Sequence, residues 1–326
     1  MILVLVEHDR GSIAPAALEA MTAARGLADQ IDMPVHALTI GQDADDLVGQ
    51  LADYGAAVVY QAHHQVLGDY GPEAWGEVMA QAIEELEPSY VIATGTDRGN
   101  EVLAQAAARR GLPMIANVLE LRPNANGDDT LEVARVRWGG SLLEVASMTA
   151  ETVVVTIAAH SIEATESTSP GDGEVEELDV SLDDSLARTV VVDRIENKAG
   201  VTLATAPVVV GGGRGVGSPE GFGPLQELAD LLNGAVGCSR AVTNNGWRNH
   251  TDQVGQTGTR IAPEVYLACG ISGAVQHWVG AMASKTIIAI NTDDQANMVT
   301  KADYAVIADL HKMVPAIAEE IRKRRA

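Results

Sequence analysis

The stretch PVVVGGGRGVGSPEGFGPLQELADLLN at 207–233 carries the strongest structural signal in the sequence. Pro207–Val210 read as a strand that opens onto Gly211, Gly212 and Gly213. Leu225, Leu228, Leu231 and Leu232 then fall at helical spacing over 223–233. A strand, a glycine turn and a helix make a corner that suits a phosphate: glycines allow close backbone approach, and the helix N-terminus attracts negative charge. Arg214 inside the turn departs from the plain dinucleotide fingerprint, yet a guanidinium there is a good partner for a diphosphate. A surface turn is the simpler alternative for this motif alone.

The same alternation runs through the rest of the chain. Downstream, apolar strands are expected near 265–269 (VYLAC), 286–290 (TIIAI) and 304–307, with helices over 273–282 and 313–324. The last helix ends in Arg322, Lys323, Arg324 and Arg325, cations at the negative end of a helix dipole. Upstream, ILVLV at 2–6 is a continuous apolar run, as expected of a strand covered on both faces. Ala17, Leu18, Met21, Ala24 and Ala28 mark a helix, followed by a strand at 34–40, a helix near 43–53 and a strand near 56–60. A helix over 73–86, a strand at 89–94 and a helix capped by Asp97 and stopped by Gly111 and Pro113 complete the pattern. Segments 131–137, 142–148 and 152–157 read as short strands, with turn residues Gly139 and Gly140 between the first two. The acidic stretch 161–187 reads as a solvated connection and TVVVD at 189–193 as one more strand. The expected fold is α/β, with two domains that are each a mostly parallel sheet flanked by helices. The first spans 1–195, a linker 196–205, and the second, 206–326, is Rossmann-like.

Polar residues recur at the ends of the second domain's apolar strands, where open α/β sheets bind ligands. GCSRAV at 237–242 offers Ser239 and Arg240. DQVGQTG at 252–258 presents Gln256 and Thr257 between glycines, Gly258 closing the turn. CGISGAVQH at 269–277 passes through Ser272 and Gly273 into a helix that carries His277. Asn291 ends IAIN, and Asp309 follows the last strand. Each is unremarkable alone: Arg240 reads as a surface residue, DQVGQTG as a polar turn, His277 as a structural histidine. Their recurrence favours a nucleotide site.

The order GRG, SR, VGQTG, APE, GISGAxQH, SKTIIAIN and ADYxxxADL resembles the FAD domain of electron transfer flavoprotein alpha subunits, densely over 210–315. The first domain resembles the family more weakly, through ATGTDRGNEVLAQAAARRGLP at 93–113 and RVRWGGS at 135–141. The resemblance implies FAD as cofactor and a role for each matching position. Arg214 and Ser239 would lie near the flavin or its diphosphate, and Arg240 over the ring, favouring the anionic semiquinone. Thr257 would bond the central-ring nitrogen, with Gln256 and Gly258 holding its turn. Ser272 and Gly273 belong to the GISGA corner; His277 would face the pyrimidine edge, and Asn291 and Asp309 the ribityl or adenosine part. Two departures stand out: TNNGWRNHT at 243–251, whose Trp247, Arg248 and His250 could alter the flavin's exposed edge, and Cys269, expected to be a packing change.

The resemblance also implies partners: a beta subunit packed on the first domain, flavin dehydrogenases such as acyl-CoA dehydrogenases as donors, and a membrane quinone oxidoreductase as acceptor. No acid–base or nucleophilic constellation appears, as expected of a carrier, and no metal is expected. Two alternatives stay open: a subunit of an NADH-oxidising, electron-bifurcating complex, and a non-redox nucleotide-binding module.

Composition bounds these readings. Of 326 residues, 46 % are hydrophobic but only 3 % aromatic, so the cores must be built from Ala, Val, Ile and Leu. The net charge of −23, with 22 basic against 45 acidic residues, argues against nucleic-acid binding. It is expected of a protein adapted to a high-salt cytoplasm, the alternative being an ordinary acidic cytosolic protein. No apolar run reaches the ~18 residues that cross a membrane, and MILVLVEHDR reads as a strand rather than a signal peptide, so no membrane insertion is expected. Cys238 and Cys269 read as small buried thiols.

Overall fold

Continuous apolar runs become the inner strands of two largely parallel sheets. The computed structural model describes residues 1–123, 130–138, 142–191 and 201–325. The chain divides into two compact units, Met1–Arg194 and Ile195–Ala326.

The first unit contains, in order, β1 (Ile2–Leu5), β2 (His8–Asp9), β3 (Ser12–Ile13), α1 (Pro15–Ile31), β4 (Val35–Ile40), α2 (Val48–Asp53), β5 (Val58–Ala62), α3 (Pro72–Leu86), β6 (Tyr90–Thr94), α4 (Asp97–Arg110), β7 (Met114–Pro123), β8 (Thr130–Arg137), β9 (Leu142–Thr149), β10 (Val153–Ile157) and β11 (Glu174–Leu178). Nine of these strands form one sheet, ordered β11-β5-β4-β1-β6-β10-β7-β8-β9. It is parallel from β11 to β7, and β7, β8 and β9 then run antiparallel. Alternate residues of β1 face opposite layers. Ile2 and Val4 pack with α1 residues Ala17, Met21 and Ala24. Leu3 and Leu5 pack with Val78 and Met79 of α3 and Leu103 of α4.

Several details differ from the sequence reading; the helix expected near 43–53 is a 3-10 segment over Gln42–Leu47 that continues as the short α2. The cap of α4 is Thr96, whose hydroxyl accepts from the Gly99 amide, and Asp97 sits in the first turn instead. Segment 174–178, inside the expected connection, is the edge strand β11, parallel to β5 from Glu174↔Val58 to Leu178↔Ala62. Segment 114–123 adds strand β7, with a register shift between Val118 and Glu120. Thr189–Val191 are exposed and outside any strand, while 192 and 193, like the expected Gly139–Gly140 turn and linker positions 196–200, lie outside the described residues.

The second unit contains β12 (Val208–Gly212), α5 (Gly223–Leu231), β13 (Ala235–Cys238), α6 (Arg240–Asn244), β14 (Val265–Cys269), α7 (Val275–Ala281), β15 (Thr286–Asn291), α8 (Asn297–Lys301), β16 (Tyr304–Ile307) and α9 (Leu310–Arg325). Its five strands are all parallel, ordered β13-β12-β14-β15-β16. One face packs Val210, Leu267 and Ile290 against Leu225 and Leu228 of α5 and Val314 of α9. The other packs Val209, Tyr266 and Ala289 against Ala281 and Met298, and draws in Leu203 and Ala206 from the segment before β12. Among the described residues no helix is long and apolar enough to cross a membrane.

Candidate functional site

In the second sheet the chain steps from β12 out to β13, then crosses back to β14 on the other side. The loops after β12 and β14 therefore diverge, and the crevice between them is where such sheets bind nucleotides. Backbone hydrogen bonds join the first residues of these loops before they part. The Gly213 amide donates to the Cys269 carbonyl (2.9 Å), Gly215 to Gly270 (3.2 Å) and Ser239 to Gly212 (3.0 Å). The approach is tight enough that a Cβ on Gly213 would lie 2.1 Å from the Gly270 carbonyl oxygen. This contact accounts for a glycine directly before Arg214.

A cleft of about 260 Å³ opens at this edge, lined by Arg214, Ser239, Arg240, Gln256, Thr257, Ser272, Gly273 and His277, together with Gln253 and Gln276. Eight of the residues singled out from sequence are thus brought together from four separate segments of the chain. Three lie apart from its lining. Gly258 closes the 253–259 turn, its amide donating to Gly255 (3.1 Å). Asn291 donates from Nδ2 to the Ile271 carbonyl (3.1 Å) and accepts from the Asp293 amide (3.2 Å), bracing the loop after β14. Asp309 precedes α9, and its carboxylate accepts from the His311 amide (2.9 Å). Trp247, Arg248 and His250 do not line the cleft: Trp247 packs on the core beside α5, and Arg248 pairs with Asp252 at 2.9 Å. Larger clefts, of about 460 Å³ beside His8 in the first unit and 620 Å³ beside Asp230 in the second, have mixed charge. The small one holds two arginines and no carboxylate, in a chain with 45 acidic residues.

The turn at 253–259 is built to display side chains. Val254 donates to Cys238 (2.9 Å), Gln256 to Gln276 (2.7 Å) and Thr259 to Gln253 (2.7 Å), so its backbone is held against β13 and α7. Gln256 and Thr257 stay exposed. Ser239 makes no side-chain cap for α6, which leaves its hydroxyl for another partner. His277 is buried, its Nε2 2.8 Å from the Tyr266 hydroxyl, and its enclosed Nδ1 makes no well-formed hydrogen bond, a Val254 backbone group being in weak contact with the ring. Burial pulls its pKa down to about 4, a Val254 backbone group pulling weakly the other way, so the ring is neutral at ordinary pH. Burial pushes both Cys238 and Cys269 up to about 12, so neither is a thiolate nucleophile.

Comparison with known proteins decides the family. The model of the electron transfer flavoprotein domain matches residues 2–183, and that of the electron transfer flavoprotein FAD-binding domain matches residues 202–282. The electron transfer flavoprotein subunit alpha of Bacillus subtilis is 35 % identical, over 99 % of this chain and 97 % of its own. The chain belongs to the electron transfer flavoprotein alpha subunit family. A Mycobacterium tuberculosis subunit alpha is likewise 35 % identical, over 99 % of both chains, and a Clostridium saccharobutylicum protein FixB is 31 % identical over 99 % of this chain and 96 % of its own. The family's role is electron transfer, and residues 202–282, within the second unit, match its FAD-binding domain.

The residues present fit that cofactor. FAD brings a diphosphate and a ring that gains negative charge on reduction, and the cleft offers two guanidiniums without a competing carboxylate. His277, neutral through burial, lines the cleft without adding a negative charge to that set. At about 260 Å³ the cleft is below the ~300–1,000 Å³ of whole-ligand pockets, so part of the dinucleotide lies outside it. Sequence reading did not single out Gln253, Gln276 or Tyr266. Gln253 and Gln276 sit inside quoted motifs, but nothing local marks a glutamine as facing a ligand.

Proposed function

We propose that this chain pairs with a beta subunit to form a heterodimeric carrier, taking electrons from flavin dehydrogenases such as acyl-CoA dehydrogenases and delivering them to a membrane quinone oxidoreductase. The observation that supports it most is the carboxylate-free, two-arginine cleft at the sheet's switch point. FAD supplies the redox chemistry; the protein holds it and tunes it. In this reading Arg214 and Ser239 hold the diphosphate side, and Arg240 places a fixed cation at the ring. Thr257 donates to the central-ring nitrogen from the turn kept by Gln256 and Gly258. Ser272 and Gly273 shape the corner after β14, and His277, kept neutral by burial, faces the pyrimidine edge. Asn291 and Asp309 support the ribityl and adenosine portions. Two buried, free cysteines accord with a cytoplasmic setting.

The test is co-expression with the candidate beta subunit and measurement of bound flavin. One FAD per heterodimer is expected. Two would indicate an electron-bifurcating complex, and a colourless heterodimer that takes up no FAD would overturn the site.

A further inference from the structure

We propose that Gln253 is a positioning residue that sets the direction of the Thr257 hydroxyl, an inference that rests on the placement of the flavin ring at Thr257. Gln253 is 1 % exposed, at the start of the turn that carries Thr257. Its Nε2 donates to Thr257 Oγ1 at 2.9 Å, and its Oε1 accepts from Thr243 Oγ1 at 2.8 Å. The single Thr243 hydroxyl proton is shared between Gln253 Oε1 and the Arg240 carbonyl oxygen, 3.0 Å away. One buried amide thus joins the two sides of the cleft, the start of α6 with Arg240 and the turn with Thr257.

Direction follows from the chemistry of the groups. A threonine hydroxyl has one proton and rotates freely when exposed, as Thr257 is. An amide NH2 is donor-only, so Thr257 Oγ1 must accept along the line to Gln253. Its proton then points away from the buried amide, toward the exposed side where the cleft lies. A glutamine that only filled space would not need to be one: a buried amide costs free energy unless both ends are bonded, and an apolar side chain of equal volume fills the same room. Here both ends are bonded, each to a hydroxyl on a different wall.

The test uses the FAD-loaded heterodimer and the one-electron midpoint potential of its flavin. Gln253→Met keeps the volume and removes both hydrogen bonds; Gln253→Asn stays polar but is one methylene too short. Thr257→Val removes the hydroxyl. Both Gln253 variants are expected to make one-electron reduction at least threefold less favourable, a shift of about 28 mV at 59 mV per tenfold. Gln253→Met combined with Thr257→Val is expected to shift no further than Thr257→Val alone. Thr257→Ser, which restores a hydroxyl, is expected to restore sensitivity to Gln253→Met. An unchanged potential in both Gln253 variants, with Thr257→Val shifted, overturns the role of Gln253 and leaves the flavin site standing. An additive double variant overturns it as well. If Thr257→Val itself leaves the potential unchanged while FAD stays bound, the placement of the ring at Thr257 fails and this inference with it.

Discussion

Tyr266 and His277 form a buried hydrogen bond of 2.8 Å between the phenol oxygen and Nε2. Tyr266 is fully buried in β14 and its pKa is driven well above the ordinary phenol value by burial, so the phenol keeps its proton. That proton has the imidazole as its partner. His277, also neutral, then holds its own proton on Nδ1, with a Val254 backbone group as its weak neighbour. The pair therefore fixes the tautomer of a residue that lines the cleft. Tyr266→Phe is expected to cost about 1–2 kcal/mol and to weaken FAD binding, measured as thermal midpoint and flavin retained on dilution.

Acid should destabilise the second unit through His277. The folded value of about 4 lies below the ordinary 6.5, so the unfolded chain binds a proton that the folded one refuses. Stability is unaffected above about pH 6.5 and falls as pH drops toward 4, by up to about 3 kcal/mol. His36 in the first unit is lowered too, mainly by burial, so that unit has an acid slope of its own. Urea unfolding at pH 7 and pH 5 checks this. His277→Gln is expected to flatten the difference between the two; an equal difference in both proteins contradicts it.

Gly213→Ala should be far more damaging than Gly223→Ala. The added methyl at 213 meets the Gly270 carbonyl oxygen at 2.1 Å and its carbon at 2.7 Å, both backbone atoms that cannot rotate aside. At 223, in the first turn of α5, it meets nothing within 4 Å. About 1–3 kcal/mol of stability is expected to go with Gly213→Ala, along with FAD content, because the switch-point loops must part. Gly223→Ala should be neutral or slightly stabilising.

What the sequence made legible follows from where side chains alone dictate structure. ILVLV, VYLAC and TIIAI are apolar on both faces, and only a strand covered by two helical layers satisfies that. Strand β11 could not be read that way: EVEEL becomes a strand by backbone pairing to β5, and four of its five residues are exposed. In β7, MIANVLELRP loses its alternation at Asn117, which has φ +59°, and at the register shift after Val118. The site divides similarly. Glycines and arginines at strand ends announce themselves, whereas Gln253 and Tyr266 act through partners that only the fold brings near. Asn291 and Asp309 are visible in the motifs, yet their side chains bond to nearby loop backbone.

Arg240→Ala should lower the flavin's one-electron potential. The guanidinium is exposed at the cleft mouth, where its charge favours an added electron and is only partly screened. A change of about tenfold, ~59 mV, is expected, with Arg240→Lys intermediate because it keeps the charge but not the planar fork. Equal potentials in wild type and Arg240→Ala would remove Arg240 from the ring.

Salt should stabilise this protein. Its net charge is −23, and among the described residues most ion pairs are half-exposed or exposed contacts worth little individually, such as Lys323–Glu319 and Arg324–Glu320. Screening shortens the reach of charge from about 10 Å at 0.1 M to about 3 Å at 1 M, so long-range repulsion among carboxylates weakens more than these close pairs do. The thermal midpoint is expected to rise by several degrees between 0.05 M and 2 M KCl. Asp172→Asn with Glu174→Gln, two exposed positions at the start of the acidic edge strand, separates repulsion from general salting-out. If repulsion is the cause, the double variant gains stability at low salt and matches wild type at 2 M. A midpoint that stays level or falls as salt is added would count against adaptation to a high-salt cytoplasm, and a variant gain that persists at 2 M would assign the effect to the local strand instead.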